Sequence, residues 1–196
     1  MIRIVLATED QLSEEVGLRL ASEAGLVVGM CLRKDGNGYL RKRIPNFCEM
    51  ALQQPVFLIT DLDQTSCPTK LMKSWLGTKQ RPAKLLFRVA VREIESWLLA
   101  DHEGMRELLG PKAPKLPNQP DALADPKEAL LNLAQRATRS VRDDLVATTG
   151  SVASQGLGYN ARLGAWIRDH WKPARAADRS PSLAKARNRL RELTVG

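Results

Sequence analysis

A chain of 196 residues, 43% hydrophobic and 27% charged, is long enough to bury one core without disulfides and is too short for two full domains. It has no apolar run near the roughly 18–20 residues of a membrane span and no signal-peptide pattern at its start, so we expect a cytoplasmic protein without a membrane partner. Three scattered cysteines and two histidines argue against a disulfide framework and against a Cys/His zinc site.

The formal charge of +8 is concentrated near the C-terminus. Residues 136–196 carry 12 Lys/Arg against 5 Asp/Glu, whereas residues 1–135 carry 18 against 17. A nearly neutral body with a basic third is typical of a protein that meets a polyanion, which predicts a nucleic-acid partner. A solvated helix surface rich in arginine is the alternative interpretation.

The first quarter of the chain predicts a strand, a helix, a second strand and a second helix. Residues 2–7 are a continuous apolar run rich in β-branched residues, which indicates a strand buried on both faces. Ser13 is the expected N-cap of the helix that follows, and Gly25 ends it. Residues 26–32 predict the second strand, residues 33–43 a flexible basic loop, and residues 44–52 the second helix.

The same alternation continues to residue 101. Residues 55–60 form the clearest strand, which runs directly into Asp61-Leu62-Asp63. A helix is expected at residues 69–76, a strand at 83–91, and helical spacing at 93–101. Strands alternating with helices in this way predict an α/β fold with a mostly parallel sheet flanked by helices.

After Gly110 the pattern changes to loops and helices. Residues 111–120 contain four prolines and are expected to be extended, and helices are predicted at 127–139, 159–170 and 182–193. We therefore expect an α/β core at residues 1–110, with a proline-rich connection and a basic helical extension at residues 111–196 packed on it.

Three acidic residues follow predicted strands and are candidates for a metal site. Glu9 follows the first strand, and Asp61 and Asp63 follow the central one. The carboxyl ends of parallel strands meet at one edge, and if the extended conformation persists, Asp61 and Asp63 share one side of it. Clustered carboxylates are ligands for a hard cation, Mg²⁺ or Mn²⁺, and a two-metal version of such a site would activate water for phosphodiester cleavage. An Asp pair that caps the next helix or solvates a turn is the alternative.

Several segments resemble a family of toprim-like proteins, domain of unknown function 4276. They are IVLATEDQLSEEV, FLITDLDQ, VAVREIESWLLAD, GLGYNARLGAWI and RSPSLAKARNRLREL. The toprim fold, shared with primases, topoisomerases and nucleases of the overcoming-lysogenization-defect type, implies a metal-binding glutamate after the first strand and a DxD after a later one. By this resemblance Glu9, Asp61 and Asp63 are metal ligands and catalytic residues.

The resemblance also has departures and additions. The usual glycine after the first glutamate is replaced by Asp10, so Asp10 or Glu14 could share the metal role. Nuclease members use a further acid and often a lysine, for which Glu95 and Lys70 are the catalytic candidates.

Other residues near these segments keep two interpretations. Arg88 is an alternative to the lysine for offsetting phosphate charge. Glu95 is either a site acid or an exposed carboxylate that pairs with Arg92 or Lys84, and only one of Glu93 and Glu95 can face the site. Asp101 is more consistent with a turn or cap than with a ligand.

Two basic groups are candidate nucleic-acid contacts. Arg41, Lys42 and Arg43 lie in the predicted loop after the second strand, which suits a phosphate clamp. Arg187 and Arg191 lie with other basic residues on the last predicted helix, where they would add electrostatic affinity. Neither group alternates with aromatic residues, so little sequence preference is expected.

The leading hypothesis is a Mg²⁺- or Mn²⁺-dependent nuclease acting on DNA or RNA, as part of an ATPase-containing defence complex by the resemblance. A second hypothesis is a non-catalytic module that binds nucleic acid or an ATPase partner, since the chain has no phosphate-binding loop of its own. A third is an aspartyl-phosphate phosphatase with Asp61 as nucleophile, from the short DLDQT match. A homo-oligomer remains open.

Overall fold

The computed structural model describes residues 1–34, 36–148, 150 and 152–194. The strands are β1 (Arg3–Thr8), β2 (Val27–Arg33), β3 (Val56–Asp61) and β4 (Leu85–Ala90). The helices are α1 (Gln11–Glu23), α2 (Asn37–Gln53), α3 (Pro68–Leu76), α4 (Glu95–Leu99), α5 (His102–Leu109), α6 (Pro126–Ala134), α7 (Arg139–Leu145), α8 (Tyr159–Asp169), α9 (Pro173–Ala177) and α10 (Pro181–Arg191). A short 3-10 helix covers Pro120–Ala122. No helix in these ranges is long and apolar enough to cross a membrane.

All four strands are parallel and lie in the order β2-β1-β3-β4, which confirms the predicted α/β fold. Their carboxyl ends therefore share one edge of the sheet, called the carboxyl edge below. Helices α1, α2 and α3 connect the successive strands. Glu9 and Asp61 lie next to each other at this edge because β1 and β3 are direct neighbours.

The sheet buries a separate hydrophobic core on each face. Alternate residues of β1 divide between them: Ile4 and Leu6 face one core, and Val5 and Ala7 face the other. The first core is built with α1 and with most of the chain after residue 94, including Trp97 and helices α6 to α10. The second core is smaller and is covered by α2 and α3. The C-terminal helices are thus part of the principal core.

The start of α1 differs from the sequence prediction. Asp10, not Ser13, is the N-cap, and its carboxylate accepts a hydrogen bond from the Ser13 N–H at 2.7 Å. Ser13 is buried in the first turn instead. Aspartate and serine are equally good N-caps, so spacing alone did not distinguish them.

The start of α2 also differs, because the helix begins at residue 37 and not at residue 44. Pro45 lies inside this helix, although proline usually marks a first turn. Arg41, Lys42 and Arg43 are therefore exposed on a helix and not on a flexible loop. Residue 35, within the predicted loop, lies outside the described residues.

In the C-terminal region the predicted helix at residues 127–139 is shorter, since α6 ends at Ala134, and a helix that was not predicted, α7, begins at Arg139. Helices α5 and α9 were not predicted, because each spans eight residues or fewer and a short helix carries little periodic signal. Residues 111–119 contain no regular element, as their prolines predicted.

Candidate functional site

The structure brings Glu9 and Asp61 into direct contact at the carboxyl edge. Glu9 Oε1 accepts hydrogen bonds from the Thr60 hydroxyl and, at 2.9 Å, from the Asp61 N–H. Burial raises the pKa of Glu9 to about 7, while these two hydrogen bonds act in the opposite direction. Acids 52 positions apart in the sequence meet here because β1 and β3 are adjacent and parallel.

Asp61 has a carboxyl oxygen for which the described residues supply no partner at this site. Its Oδ1 is buried and has no hydrogen-bond partner among the described residues. Burial raises the pKa of Asp61 well above its ordinary value, and repulsion from Glu95 and then from Glu9 raises it further. A buried carboxyl oxygen without a donor is costly, so this position favours either a proton or a cation.

Glu95 is the third carboxyl of the site, and it is buried. It opens α4 and is only 5% exposed, which rules out the expected alternative of an exposed helical carboxylate. Its Oε1 accepts a hydrogen bond of 2.8 Å from the Tyr159 hydroxyl, at the start of α8. Burial raises the pKa of Glu95 to about 7, and the hydrogen bond from Tyr159 limits the rise.

Tyr159 was missed as a site residue by sequence reasoning. It stood in the sequence as the first residue of a predicted helix, and nothing local connects it with Glu95, 64 positions earlier. It is 2% exposed, and the Lys127 ammonium lies 5.3 Å from its ring centroid. The C-terminal helices therefore supply a direct contact to the acidic site.

Asp63 does not continue the strand, so the expected extended Asp61-Leu62-Asp63 geometry is wrong. Its φ of 49° places it in the left-handed region, and it is exposed in a turn while Leu62 is buried. The N–H groups of Leu62 and Asp63 both donate to the Arg92 carbonyl at 3.0 Å. The Arg92 guanidinium donates to the Asp63 carbonyl at 2.8 Å, which fixes this turn beside the site. The Asp63 charge still helps to raise the pKa of Glu9.

Three other acidic residues, whose role in the site was left open by the sequence, make hydrogen bonds or ion pairs outside it. Asp10 caps α1, and Glu14 forms an ion pair with Arg33 at 3.3 Å. Glu93 accepts a hydrogen bond of 2.9 Å from the Lys127 N–H at the start of α6. Of the two neighbouring glutamates, Glu95 is therefore the one that faces the site.

Comparison with protein-family models, curated proteins and solved structures found no match. The toprim resemblance remains a prediction.

The donor set at the site fits a hard divalent cation. The oxygens of Glu9, Asp61, Asp63 and Glu95 are the kind that Mg²⁺ and Mn²⁺ prefer, and Asp61 Oδ1 is uncommitted. As placed, no three acidic, histidine or cysteine side chains in the described ranges could hold one ion together. Glu9 Oε1 is directed at Thr60 and the Asp61 N–H, so binding requires the Glu9 or the exposed Asp63 side chain to turn.

The candidate phosphate-neutralising residues lie away from the acids. Lys70 is exposed in the first turn of α3, and no contact in the described part of the chain connects it to the acidic site. Arg88 pairs in register with Ile59, two residues before Asp61, and its charged neighbours are Arg81, Arg189 and Glu192.

The two candidate nucleic-acid groups lie at opposite edges of the sheet. Arg41, Lys42 and Arg43 are in the early turns of α2, which starts from the carboxyl edge after β2. The basic residues of α10 lie at the other edge, because Arg189 donates to the carbonyl of Ala83, just before β4. Only the first group lies on an element that starts at the carboxyl edge.

Arg187 is a correction to the predicted contacts. Its guanidinium makes two hydrogen bonds, of 2.8 and 2.7 Å, to Glu23 at the end of α1, and its side chain is 9% exposed. It ties α10 to α1 and is not presented to a ligand. Arg191 is 52% exposed at 4.0 Å from Glu23 and remains accessible.

Tyr159→Phe is expected to lower the free energy of unfolding by about 1–2 kcal/mol, because Glu95 loses its buried donor. The loss should grow as the pH rises through 7, since the variant raises the pKa of Glu95 further and its ionised form becomes costlier in the folded state. Urea denaturation from pH 5 to pH 8.5 measures this. In a Glu95→Gln background the pH dependence of the Tyr159→Phe effect should vanish. An effect that is constant with pH in both backgrounds would contradict the assigned contact.

Proposed function

We propose that this protein is a Mg²⁺- or Mn²⁺-dependent nuclease that cleaves DNA or RNA with little sequence preference. The observation that carries the proposal is the convergence of Glu9, Asp61 and Glu95 at the carboxyl edge, with raised pKa values and an unpaired Asp61 oxygen. Perturbed carboxyls grouped at the end of a parallel sheet are typical of catalytic sites.

The residues divide into two roles. Asp61 and Glu9, with Asp63 from the adjoining turn, would hold the cation. When bound, the cation would supply positive charge to the phosphate and make a water molecule more acidic. Glu95 titrates near neutral pH and is therefore suited to accept or return a proton during attack on phosphorus. Tyr159 is a positioning residue that orients the Glu95 carboxyl.

The surroundings of the site support a polyanionic substrate with weak sequence recognition. Arg41, Lys42 and Arg43 are exposed on the helix that leaves the carboxyl edge, where they can offset phosphate charge. Arg43 lies 5.7 Å from the ring centroid of Tyr39, so this group is organised on its own helix. Backbone contacts of this kind position a nucleic acid without reading its bases.

Cleavage of a supercoiled plasmid and of labelled DNA and RNA oligonucleotides tests the proposal, with Mn²⁺, with Mg²⁺ and with EDTA. Cation-dependent cleavage is expected from the wild type, and a loss of at least about 100-fold from the Asp61→Ala/Asp63→Ala variant. Asp143→Ala, which changes an exposed acid on α7, is the matched control and should retain activity. Equal trace activity in all three proteins would reject the nuclease. A non-catalytic module would then be the better interpretation if nucleic acid still bound.

A further inference from the structure

A groove of about 300 Å³ lies between α2 and the face of β2 that adjoins the second core. Strand β2 is at one edge of the sheet, whereas α2 packs against β3, β4 and α3, toward the other edge. This face of β2 is therefore left partly open. Met30 is 50% exposed there, and Leu32, on the same side of the strand, is half-buried. Apolar side chains grouped at an open sheet edge are typical of a surface that binds another protein.

The opposite wall of the groove is formed by one face of α2. Arg43, Asn46 and Glu49 follow each other at a spacing of three and are all exposed, and the half-buried Met50 lies beside them. Residues at this spacing share a face of a helix. Arg43 and Glu49 are equally far from Asn46, on either side of it, and are about 9 Å apart along the helix axis. The face thus carries a positive end and a negative end.

These two charges are not neutralised within the chain. Neither Arg43 nor Glu49 forms an ion pair in the part of the chain that the structure describes. They are six positions apart, beyond the three or four at which side chains of one helix pair. A complementary ligand must therefore offer an acid to Arg43 and a base to Glu49. A nucleic-acid backbone would be attracted to Arg43 but repelled by Glu49, whereas an antiparallel copy of the same helix supplies both charges in the required order.

We propose that this groove is the interface of a homodimer, in which the α2 helices of two copies pack antiparallel about a two-fold axis at Asn46. The axis places Arg43 of each copy opposite Glu49 of the other, so the interface has two equivalent ion pairs. Met30 and Met50 contact the other copy beside these pairs. Exposed ion pairs add little affinity, whereas facing like charges are costly. The apolar side chains therefore supply most of the affinity, and the charges set the register.

The dimer leaves both acidic sites open. Each α2 begins at the carboxyl edge of its own sheet, so antiparallel helices direct the two carboxyl edges to opposite ends of the dimer. Arg43 is engaged by the other copy, while Arg41 and Lys42 lie outside the groove lining and remain available to phosphate. The dimer does not depend on the proposed nuclease activity.

Sedimentation velocity of the full chain at several concentrations tests the dimer, without nucleic acid or divalent cation. The wild type is expected to form a species of twice the mass of one chain. Arg43→Glu and Glu49→Arg should each raise the dissociation constant at least about tenfold, because each change creates two pairs of like charges across the axis. Arg41→Glu, the same charge change on α2 but outside the groove lining, is the control and should change it by less than about threefold.

Two recovery experiments distinguish the proposed pairing from a loss of folding. An equimolar mixture of the Arg43→Glu and Glu49→Arg proteins should form a heterodimer, since every acid then faces a base. The doubly exchanged Arg43→Glu/Glu49→Arg protein should associate with itself as the wild type does. Either recovery requires that the variant chains fold.

A wild type that stays monomeric at about 100 µM, a dimer that resists both charge reversals, or an absence of recovery in the mixture and in the double exchange would overturn the proposal. If the wild type is monomeric and Arg43→Glu weakens oligonucleotide binding while Glu49→Arg strengthens it, the groove belongs to nucleic acid instead. The sedimentation assay involves no cleavage, so its failure leaves the nuclease proposal untouched, and the reverse also holds.

Discussion

Asp61→Asn is expected to make the metal-free protein more stable at pH 8 and to abolish its stabilisation by Mn²⁺. The buried Asp61 carboxyl has an unpaired oxygen and lies among other carboxylates, so its ionised form is destabilising in the folded state. Asparagine is nearly isosteric, is uncharged, and brings an amide group that can donate to Glu9 or Glu95. An increase in Tm on the order of 5 °C is expected at pH 8.

The direction of this stability change follows from proton linkage. Because the folded-state pKa of Asp61 lies above its ordinary value of 3.8, the folded state holds a proton that the unfolded state has released. The wild type therefore loses stability as the pH rises above about 4, until the folded-state carboxyl itself ionises. Asp61→Asn removes this loss, so its advantage should be small near pH 4 and larger at pH 8. Glu9 and Glu95, whose pKa values are raised to about 7, remain in both proteins, and the loss of the Asp61 charge lowers their pKa values, which adds to the advantage of Asp61→Asn at pH 8.

Thermal unfolding followed by circular dichroism at pH 4.5 and pH 8, with EDTA or Mn²⁺, measures both the stability of the metal-free protein and its stabilisation by Mn²⁺. The wild type should gain stability from Mn²⁺ at pH 8 and much less at pH 4.5, where protons compete for the carboxylates. Asp143→Asn, a change at an exposed acid, is the control and should behave as the wild type. An Asp61→Asn protein that is less stable than the wild type at pH 8, or that is equally stabilised by Mn²⁺, would contradict the electrostatic description of the site.

Asp101→Ala is expected to cause the largest loss of stability, about 3–5 kcal/mol. The Asp101 side chain is fully buried and accepts four hydrogen bonds. Two come from the Arg175 guanidinium at 2.8 and 2.9 Å, and two come from the N–H groups of Gly104 and Lys172. Alanine would leave these donors unpaired where α5 meets α9.

Urea denaturation of three variants separates the buried contact from ordinary surface charge. Glu103→Ala removes another carboxylate from Arg175, at 3.0 Å, but that side chain is 67% exposed, so a loss below about 1 kcal/mol is expected. Asp101→Asn keeps an oxygen to cap α5 but loses the charge, and should fall between the two. If Asp101→Ala costs no more than Glu103→Ala, the contact does not hold these helices together.

The strands could be predicted from the sequence because each is a short apolar run followed by polar residues. Parallel pairing then followed from the alternation with helices, and with it the meeting of Glu9 and Asp61 at one edge. The turn at Asp63 could not be predicted, since it depends on the carbonyl of Arg92, which accepts from the N–H groups of Leu62 and Asp63. Glu95 was predicted as a candidate, but its burial depends on helices that come later in the chain.

Contacts between distant side chains were the least predictable part of the site. Tyr159 donates a hydrogen bond to Glu95, and Arg187 donates one to Glu23. Each pair joins distant regions of the chain, and no local sequence pattern reveals either pairing. Two basic groups were predicted to contact nucleic acid, and the fold separates them, with Arg41 on α2 and Arg191 on α10. Within the second group Arg187 is buried against Glu23 whereas Arg191 is accessible, so clustering in sequence is a poor guide to which arginines share a surface.

Because the C-terminal helices form part of the principal core, the protein can complete its fold on the ribosome only late in synthesis. Strands β1 to β4 are synthesised first, but Trp97 and Leu98 find their full packing only when α8 and α10 have emerged. Glu95 remains without its tyrosine donor until the same stage. The acidic centre is therefore completed late in translation, and a nascent chain released before residue 159 should be poorly folded and should lack the contact between Tyr159 and Glu95.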